Sequence, residues 1–235
     1  PEKLNIDEES HHQRIKNFKI YFNKKNRNIP KRCWWIEAGK VLGGPFPGSQ
    51  DNVKAKTKIS RLLDLGVVAF VDLMEDGEFN FKSESEYETY EGALEEISSE
   101  KGIKITRKKF YVQDQGVPNS NESMMDILNF INSFVENEKL VYVHCAGGHG
   151  RTGTVAGCWL MCRGLASGYD SALKIIKHQR HHDEYLSFHD SPENENQRQF
   201  LAYWEKSMSH GSGSNPLSCE SVKELEKKKF PTLKM

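Results

Sequence analysis

The run from Val141 to Gly153, VYVHCAGGHGRTG, constrains the fold more than any other part of this chain. Its apolar start predicts a buried strand, and the apolar run Val155 to Met161 predicts a helix soon after it. The loop between them contains three glycines, whose backbone N–H groups can converge at the helix N-terminus, where an anion is favoured. This stretch therefore predicts an α/β unit with an anion-binding site, and phosphate is the obvious anion.

Cys145 and Arg151 stand at the two ends of this loop. The planar guanidinium can hold two phosphoryl oxygens, and its charge, together with the helix N-terminus, favours the thiolate form of Cys145. Thr152 can turn its hydroxyl towards the sulfur and stabilise it as a leaving group. A lone cysteine or a glycine-rich turn also occurs for packing alone, but the combined residue types and spacing favour chemistry. The residues predicted to bind the phosphate are Ala146, Gly147, Gly148, His149, Gly150 and Arg151.

The segment HCAGGHGRTG resembles the signature loop of the cysteine-dependent phosphatase superfamily, which contains tyrosine-specific and dual-specificity enzymes. The resemblance covers about residues 33–206 and implies a phosphocysteine intermediate on Cys145. It implies a supporting role for His144, whose ring would hold the backbone near Cys145. Phosphoinositide phosphatases of the superfamily often carry lysine where this chain has His149, so a partly protonated imidazole would favour substrates with several phosphates. The alternative is an exposed loop histidine without consequence.

Hydrolysis of a phosphate ester also needs a general acid that protonates the leaving oxygen. Asp114 lies in Val112–Pro118, VQDQGVP, whose glycine and proline are typical of a loop. This segment resembles the acid-bearing loop of tyrosine phosphatases, although Val112 and Gln113 replace the tryptophan and proline found there. The resemblance implies that Asp114 is the acid, and the alternative is an aspartate that only caps its own turn. Three other aspartates are lesser candidates: Asp72, Asp183 and Asp190.

The segment Ser191–Leu201, SPENENQRQFL, predicts a helix that begins at Pro192 and buries apolar residues on its inner face. It resembles the closing helix of the phosphatase superfamily. That resemblance implies that Gln197 lies near the pocket and orients the water that attacks in the second step. The competing interpretation is a surface amide on an amphipathic helix.

Composition and residue spacing argue against several classes of function. The 33 basic and 33 acidic residues balance, so there is no global signal for nucleic acid. No apolar run is long enough to span a membrane, and the five cysteines show no CxxC or disulfide-like spacing. We therefore expect a soluble, cytoplasmic chain with reduced thiols, no transmembrane segment and no cofactor, and leave its oligomeric state open. Four histidines near the C-terminal part match no zinc pattern, so no metal is expected: His178, His181, His182 and His189.

The pattern of elements predicts an α/β fold with a central, largely parallel sheet flanked by helices. We expect a basic N-terminal arm over residues 1–32, with nine basic and four acidic residues, a phosphatase domain over 33–206 and a mobile tail over 207–235. The predicted strands are Ile36–Leu42, Val67–Leu73, Ile103–Val112 and Leu140–Val143, with a turn over Gly43–Gly48. The predicted helices are Asn52–Leu65, Ser83–Glu100, Ser120–Asn137, Arg151–Arg163, Tyr169–His181 and Pro192–Lys206.

The resemblance and the residues together predict phosphoester hydrolysis on phosphotyrosine, and on phosphoserine or phosphothreonine, of protein partners. One alternative is a phosphoinositide phosphatase acting on an inositol phospholipid, supported by His149 and the basic N-terminal arm. Ala146 stands where such enzymes carry a second basic residue, which weakens that alternative. The other is a phosphate-recognition module without turnover.

Overall fold

The computed structural model describes residues 29–78 and 90–209. Most of the predicted basic arm, the first part of the predicted helix Ser83–Glu100 and residues 210–235 of the predicted tail lie outside these ranges. The strands within them are β1 Trp34–Glu37, β2 Val41–Pro45, β3 Val67–Asp72, β4 Thr106–Lys109 and β5 Leu140–Cys145. The helices within them are α1 Asn52–Asp64, α2 Glu91–Glu100, α3 Asn121–Val135, α4 Gly150–Cys162, α5 Tyr169–Arg180, α6 Glu184–Phe188 and α7 Glu195–Ser209.

The five strands form one sheet in the order β1-β2-β5-β3-β4. Only the pair β1 and β2 is antiparallel, and the other neighbours run parallel. All six residues of the central strand β5 are buried, as expected for a parallel strand covered on both faces. The predicted α/β fold with a largely parallel sheet is confirmed.

Side chains alternate between the two faces of β5 and so build two separate cores. Val141 and Val143 face the core formed with α3, α4, α5, α6 and α7. Tyr142 faces the smaller core formed with α1 and α2. Because both faces are filled, the carboxyl end of β5 is held rigidly, and Cys145 at this end lies opposite Pro45 of β2.

The beginning of the domain differs from the prediction of one strand, Ile36–Leu42, and a turn, Gly43–Gly48. The chain instead forms the hairpin of β1 and β2, and both Gly43 and Gly44 lie within β2. A Cβ atom on Gly44 would lie 2.5 Å from the Tyr142 hydroxyl. Glycine therefore serves close packing of two strands here and not a turn, which is a tertiary requirement that local turn chemistry does not reveal.

The closing helix α7 begins at Glu195, three residues after the predicted start at Pro192, and continues to Ser209 beyond the predicted end at Lys206. The side chain of Asn194 explains the later start. Its Oδ1 accepts from the Gln197 N–H at 3.0 Å, which satisfies an otherwise unpaired donor of the first turn.

The short helix α6 was not predicted from the sequence. Asp183 begins it by accepting from the Leu186 N–H at 3.1 Å. This lesser candidate for the general acid is therefore a helix cap. Strand β4 covers Thr106–Lys109 only, and is shorter than the predicted strand Ile103–Val112.

Candidate active site

Cys145 ends β5, and the loop that follows leads directly into α4. Two donors point at its sulfur: the Gly148 N–H at 3.3 Å and the Thr152 hydroxyl at 3.2 Å. The sulfur is otherwise enclosed, since Cys145 is 3% exposed. A backbone amide and a hydroxyl that donate to one buried sulfur stabilise negative charge on it.

Gly148 is the position at which this loop requires glycine. Its φ angle is +78°, and a Cβ atom there would lie 2.3 Å from the carbonyl carbon of Gly44. Its carbonyl accepts from the Trp34 indole N–H at 3.2 Å. The loop is therefore held against β1 and β2, with its amide aimed at the sulfur.

The Arg151 side chain is 2% exposed and is held by carboxylates and carbonyls from distant segments. Glu78 accepts from both terminal nitrogens, at 2.7 Å from Nη1 and 2.5 Å from Nη2. The carbonyls of Val112 and Leu73 accept from Nη1 at 3.0 and 3.3 Å. Asp114 Oδ1 accepts from Nη2 at 2.9 Å.

These contacts secure the charge of the guanidinium. Burial lowers the pKa of Arg151, but the hydrogen bonds that it donates to Glu78 and the charges of Cys145, Glu78 and Asp114 raise it above its ordinary value. A permanent cation is thus available beside the sulfur for phosphoryl oxygens.

A cavity of about 140 Å³ opens above the sulfur. Its walls combine the signature loop, the Asp114 segment and the start of α7, which lie far apart in sequence. They consist of Asp114, Gln115, Cys145, Ala146, Gly147, His149, Gly150, Arg151, Glu193 and Gln197. The structure thus brings most of the predicted residues to one cavity, while Gly148 and Thr152 contact the sulfur without lining the cavity.

His144 precedes Cys145 on β5 and is 0% exposed. Its Nε2 is 2.8 Å from the Tyr90 hydroxyl, and burial lowers its pKa to about 4. The ring is therefore neutral near pH 7, and its predicted role of holding the backbone near Cys145 stays a prediction. Asp72, a lesser candidate for the acid, is also buried here and accepts from Arg107 at 2.6 Å, away from the cavity lining.

His149 is 7% exposed, so the alternative of an exposed loop histidine is wrong. Its Nδ1 lies 3.5 Å from Oε2 of Glu193. Burial lowers the pKa of His149, an effect that the Glu193 carboxylate partly offsets. The direction of this shift opposes the hypothesis of a partly protonated imidazole that enlarges the positive field.

Gln197 is 0% exposed, so the interpretation as a surface amide is also wrong. Its Oε1 accepts from the N–H groups of Glu193 at 3.0 Å and Asn194 at 3.4 Å. Its Nε2 donates to the Gly116 carbonyl at 3.1 Å. One amide hydrogen remains for a further acceptor, and the water-orienting role stays a prediction.

The sequence did not predict three residues of this site: Glu78, Tyr90 and Glu193. Glu78 meets Arg151 across 73 positions and Tyr90 meets His144 across 54, so no local spacing could identify either pair. Glu193 lies four residues before Gln197, and this proximity was the one available signal.

Within residues 29–78 and 90–209, no cluster of histidine, cysteine, aspartate and glutamate could hold a metal ion. Two of the four histidines named above contact backbone carbonyls: His182 those of Gln179 and Cys33, and His189 that of Tyr185. No helix in the same part of the chain is both long and apolar enough to cross a membrane.

A family model described as "PTP-SAK: Swiss Army Knife protein, DSP-PTPase phosphatase domain" matches residues 30–191. The chain belongs to this family. The match spans the signature loop and the Asp114 segment, and it confirms the predicted membership of the cysteine-dependent phosphatase superfamily. The "Putative tyrosine phosphatase 067L" of Invertebrate iridescent virus 3 is 28% identical over 127 residues, 52% of this chain and 43% of the viral protein.

Solved phosphatase structures share the fold of this PTP-SAK domain. Kinase-associated phosphatase, with serine in place of its catalytic-site cysteine, matches with a TM-score of 0.59 at 14% identity, over 80% of this chain and 99% of that chain. The structure of PTPMT1 in complex with PI(5)P matches with a TM-score of 0.52 at 18% identity, over 76% of this chain and 97% of that chain. At these identities the likeness concerns the fold alone.

The chain spans between 33% and 43% of the length of the curated relatives that it matches. One of them, an uncharacterised protein of Methanocaldococcus jannaschii, is 46% identical over 54 residues, 23% of this chain. The activities of these longer relatives are therefore not assigned to this chain.

Proposed function

We propose that the PTP-SAK domain hydrolyses phosphoesters in two steps through a phosphocysteine intermediate, on phosphotyrosine and on phosphoserine or phosphothreonine of proteins. One observation carries the proposal. The Cys145 sulfur accepts from the Gly148 amide and the Thr152 hydroxyl at the base of a cavity that also holds Arg151 and Asp114. Nucleophile, oxyanion donors and acid are thus within one small volume.

In the first step the Cys145 thiolate attacks phosphorus in line with the leaving oxygen. The sulfur–phosphorus bond forms and the phosphorus–oxygen bond breaks, while Asp114 gives its proton to the departing oxygen. Arg151 and the amides of the signature loop hold the three equatorial oxygens, whose charge they stabilise in the transition state. The phosphoryl group competes with Asp114 for Nη2 of Arg151, which now contacts the Asp114 carboxylate.

In the second step water attacks the phosphocysteine. Asp114, now a carboxylate, accepts the proton of the water as the oxygen–phosphorus bond forms. The sulfur–phosphorus bond breaks, and the Thr152 hydroxyl donates to the departing sulfur from its position 3.2 Å away. Inorganic phosphate and the free thiolate are the products.

Electrostatics of the cavity wall favour protein substrates over inositol phospholipids with several phosphates. Glu193 places a carboxylate in the wall beside His149, and a second phosphate group near it would be repelled. Ala146 provides no basic side chain in the loop. A phosphoinositide phosphatase remains the second candidate, because the fold is shared with PTPMT1, whose structure was solved in complex with PI(5)P.

A recognition module without turnover is disfavoured, since Cys145, Arg151 and Asp114 are all present at one cavity. The nucleophile must be a free thiol, so we propose a reducing, cytoplasmic location for the domain. The described cysteines Cys33, Cys158 and Cys162 are likewise free thiols, in keeping with such a compartment.

The test is phosphate release by the full chain from a phosphotyrosine peptide, a phosphothreonine peptide and vesicles containing a phosphoinositide. We expect turnover of the phosphotyrosine peptide and loss of turnover in Cys145→Ser, which should still bind inorganic phosphate in calorimetry. Faster release from the vesicles would favour the lipid alternative. Absence of release from all three, with phosphate binding retained, would favour the recognition module, and near-normal turnover by Cys145→Ser would exclude the mechanism.

A further inference from the structure

The loop that carries Asp114 contains an unfavourable backbone conformation. Gln115, the next residue, has a φ angle of +59°, in the left-handed region that residues other than glycine rarely adopt. The Gly116 N–H donates to the Gln113 carbonyl at 2.8 Å and closes a tight turn around Asp114. Such a conformation persists only where neighbouring groups hold it.

Two side-chain amides from the start of α7 hold this turn. Asn194 Nδ2 donates to the Gln115 carbonyl at 2.8 Å, and Gln197 Nε2 donates to the Gly116 carbonyl at 3.1 Å. We name this pair of residues, Asn194 and Gln197, the amide clamp. The carbonyls that they bind belong to the two residues immediately after Asp114.

The orientation of each side-chain amide is fixed by the hydrogen bonds that its oxygen accepts. Asn194 Oδ1 accepts from the Gln197 N–H at 3.0 Å, and Gln197 Oε1 accepts from the Glu193 N–H at 3.0 Å. Rotating either amide by half a turn would place oxygen against carbonyl oxygen and nitrogen against N–H. The donors of the amide clamp are therefore fixed towards the Asp114 loop.

We propose that Asn194 and Gln197 are positioning residues that hold Asp114 over the phosphoryl site, an inference that rests on the proposed function. The Asp114 side chain is 60% exposed and contacts Arg151, whose donors the substrate takes over. The Asp114 N–H reaches Glu75 only at 3.4 Å. Once Arg151 holds the phosphoryl group, the turn around Asp114 keeps its contacts with Glu75 and with the amide clamp. The hydrogen bonds of the amide clamp are the shorter of these.

The test removes the amide donor of each residue. Asn194→Ser retains an oxygen that can cap α7 and lacks the amide nitrogen, and Gln197→Met preserves length without either polar atom. Asn196→Ser and Gln199→Met are matched controls, because both positions are exposed on the same segment. Thermal unfolding of all four variants shows which of them are folded. If Asn194→Ser does not fold, the comparison of Gln197→Met with its control is the test.

The measurement is kcat/KM for two aryl phosphates, phenyl phosphate with a poor leaving group and 4-nitrophenyl phosphate with a good one. A misplaced acid slows only the reaction that needs the proton, so we expect about a tenfold loss with phenyl phosphate and less than about twofold with 4-nitrophenyl phosphate. In the Asp114→Asn background the clamp variants should cause no further loss, because the group that they position is gone.

Equal losses with both substrates, or a further loss in the Asp114→Asn background, would overturn the positioning role and point to a general structural defect. Clamp variants that match their controls would overturn it as well. In either case an active wild-type chain leaves the proposed function standing. A wild-type chain that hydrolyses neither aryl phosphate would instead overturn the proposed function and the inference that depends on it.

Discussion

Asp114 Oδ1 accepts a hydrogen bond from Arg151 Nη2 at 2.9 Å, so the proposed acid and the proposed phosphate ligand contact each other directly. The same nitrogen also donates to Glu78, and the other terminal nitrogen contacts Glu78 and two carbonyls. A phosphoryl dianion therefore competes with a carboxylate for this guanidinium. The competition couples substrate binding to release of the acid, because the phosphoryl group and Asp114 share a donor.

Replacing Asp114 by asparagine should separate its role as proton donor from its competition with phosphate for Arg151. Loss of the proton donor should lower kcat/KM for phenyl phosphate by roughly 10²-fold or more. Loss of the negative charge beside Arg151 should at the same time tighten the binding of inorganic phosphate. Steady-state kinetics and calorimetry measure the two quantities, and weaker phosphate binding by this variant would contradict the competition.

Glu78 should matter for both stability and activity, although it lies outside the signature loop. Glu78→Gln removes the charge that pairs with a nearly buried guanidinium, which should lower the free energy of unfolding by about 1–3 kcal/mol. Arg151 would lose its bidentate support, and kcat/KM should fall by about tenfold. Denaturant unfolding and steady-state kinetics test this against Glu100→Gln, an exposed control on α2. Equal behaviour of the two variants would rule out the role of Glu78.

Gly148→Ala should abolish turnover, since a Cβ atom cannot fit against the backbone of Gly44 and the positive φ angle is strained for alanine. The loop would move and the Gly148 amide would no longer point at the Cys145 sulfur. Gly92→Ala is the matched control, because it lies in α2 with no heavy atom within 4 Å of the added Cβ, where alanine favours the helix. Activity assays and thermal unfolding compare the pair; an active Gly148→Ala enzyme would contradict the close-packing argument.

His144 should make the domain less stable in acid. Its pKa is about 4 in the fold against an ordinary value of 6.5, so the unfolded chain binds the proton first. The contribution of the neutral ring is complete above about pH 6.5 and is lost as pH falls towards 4, by up to about 3 kcal/mol. Free energies of unfolding measured by denaturant between these values should fall more steeply for the wild type than for His144→Gln. Parallel curves would show that His144 does not contribute in this way.

The strand, loop and helix around Cys145 could be predicted because the sequence encodes them locally. An apolar run, three glycines and a second apolar run require few distant contacts to be recognised. Arg151 follows Cys145 by six residues, so their proximity results from the loop itself. The segment around Asp114 was also recognised locally, but its position over the sulfur depends on the packing of the sheet.

The sequence by itself determined the glycine-rich loop after Cys145, the proposed nucleophile, and the alternation of strands and helices, because each depends on residue type and short-range spacing. The tertiary structure alone decided the partners: Glu78 for Arg151, Tyr90 for His144, and the amides of Asn194 and Gln197 for the Asp114 loop. Those contacts join segments 54 to 81 positions apart. They arise from the order of strands in the sheet and the path of α7, since a hydrogen bond depends on distance in space and leaves no periodic trace in the chain.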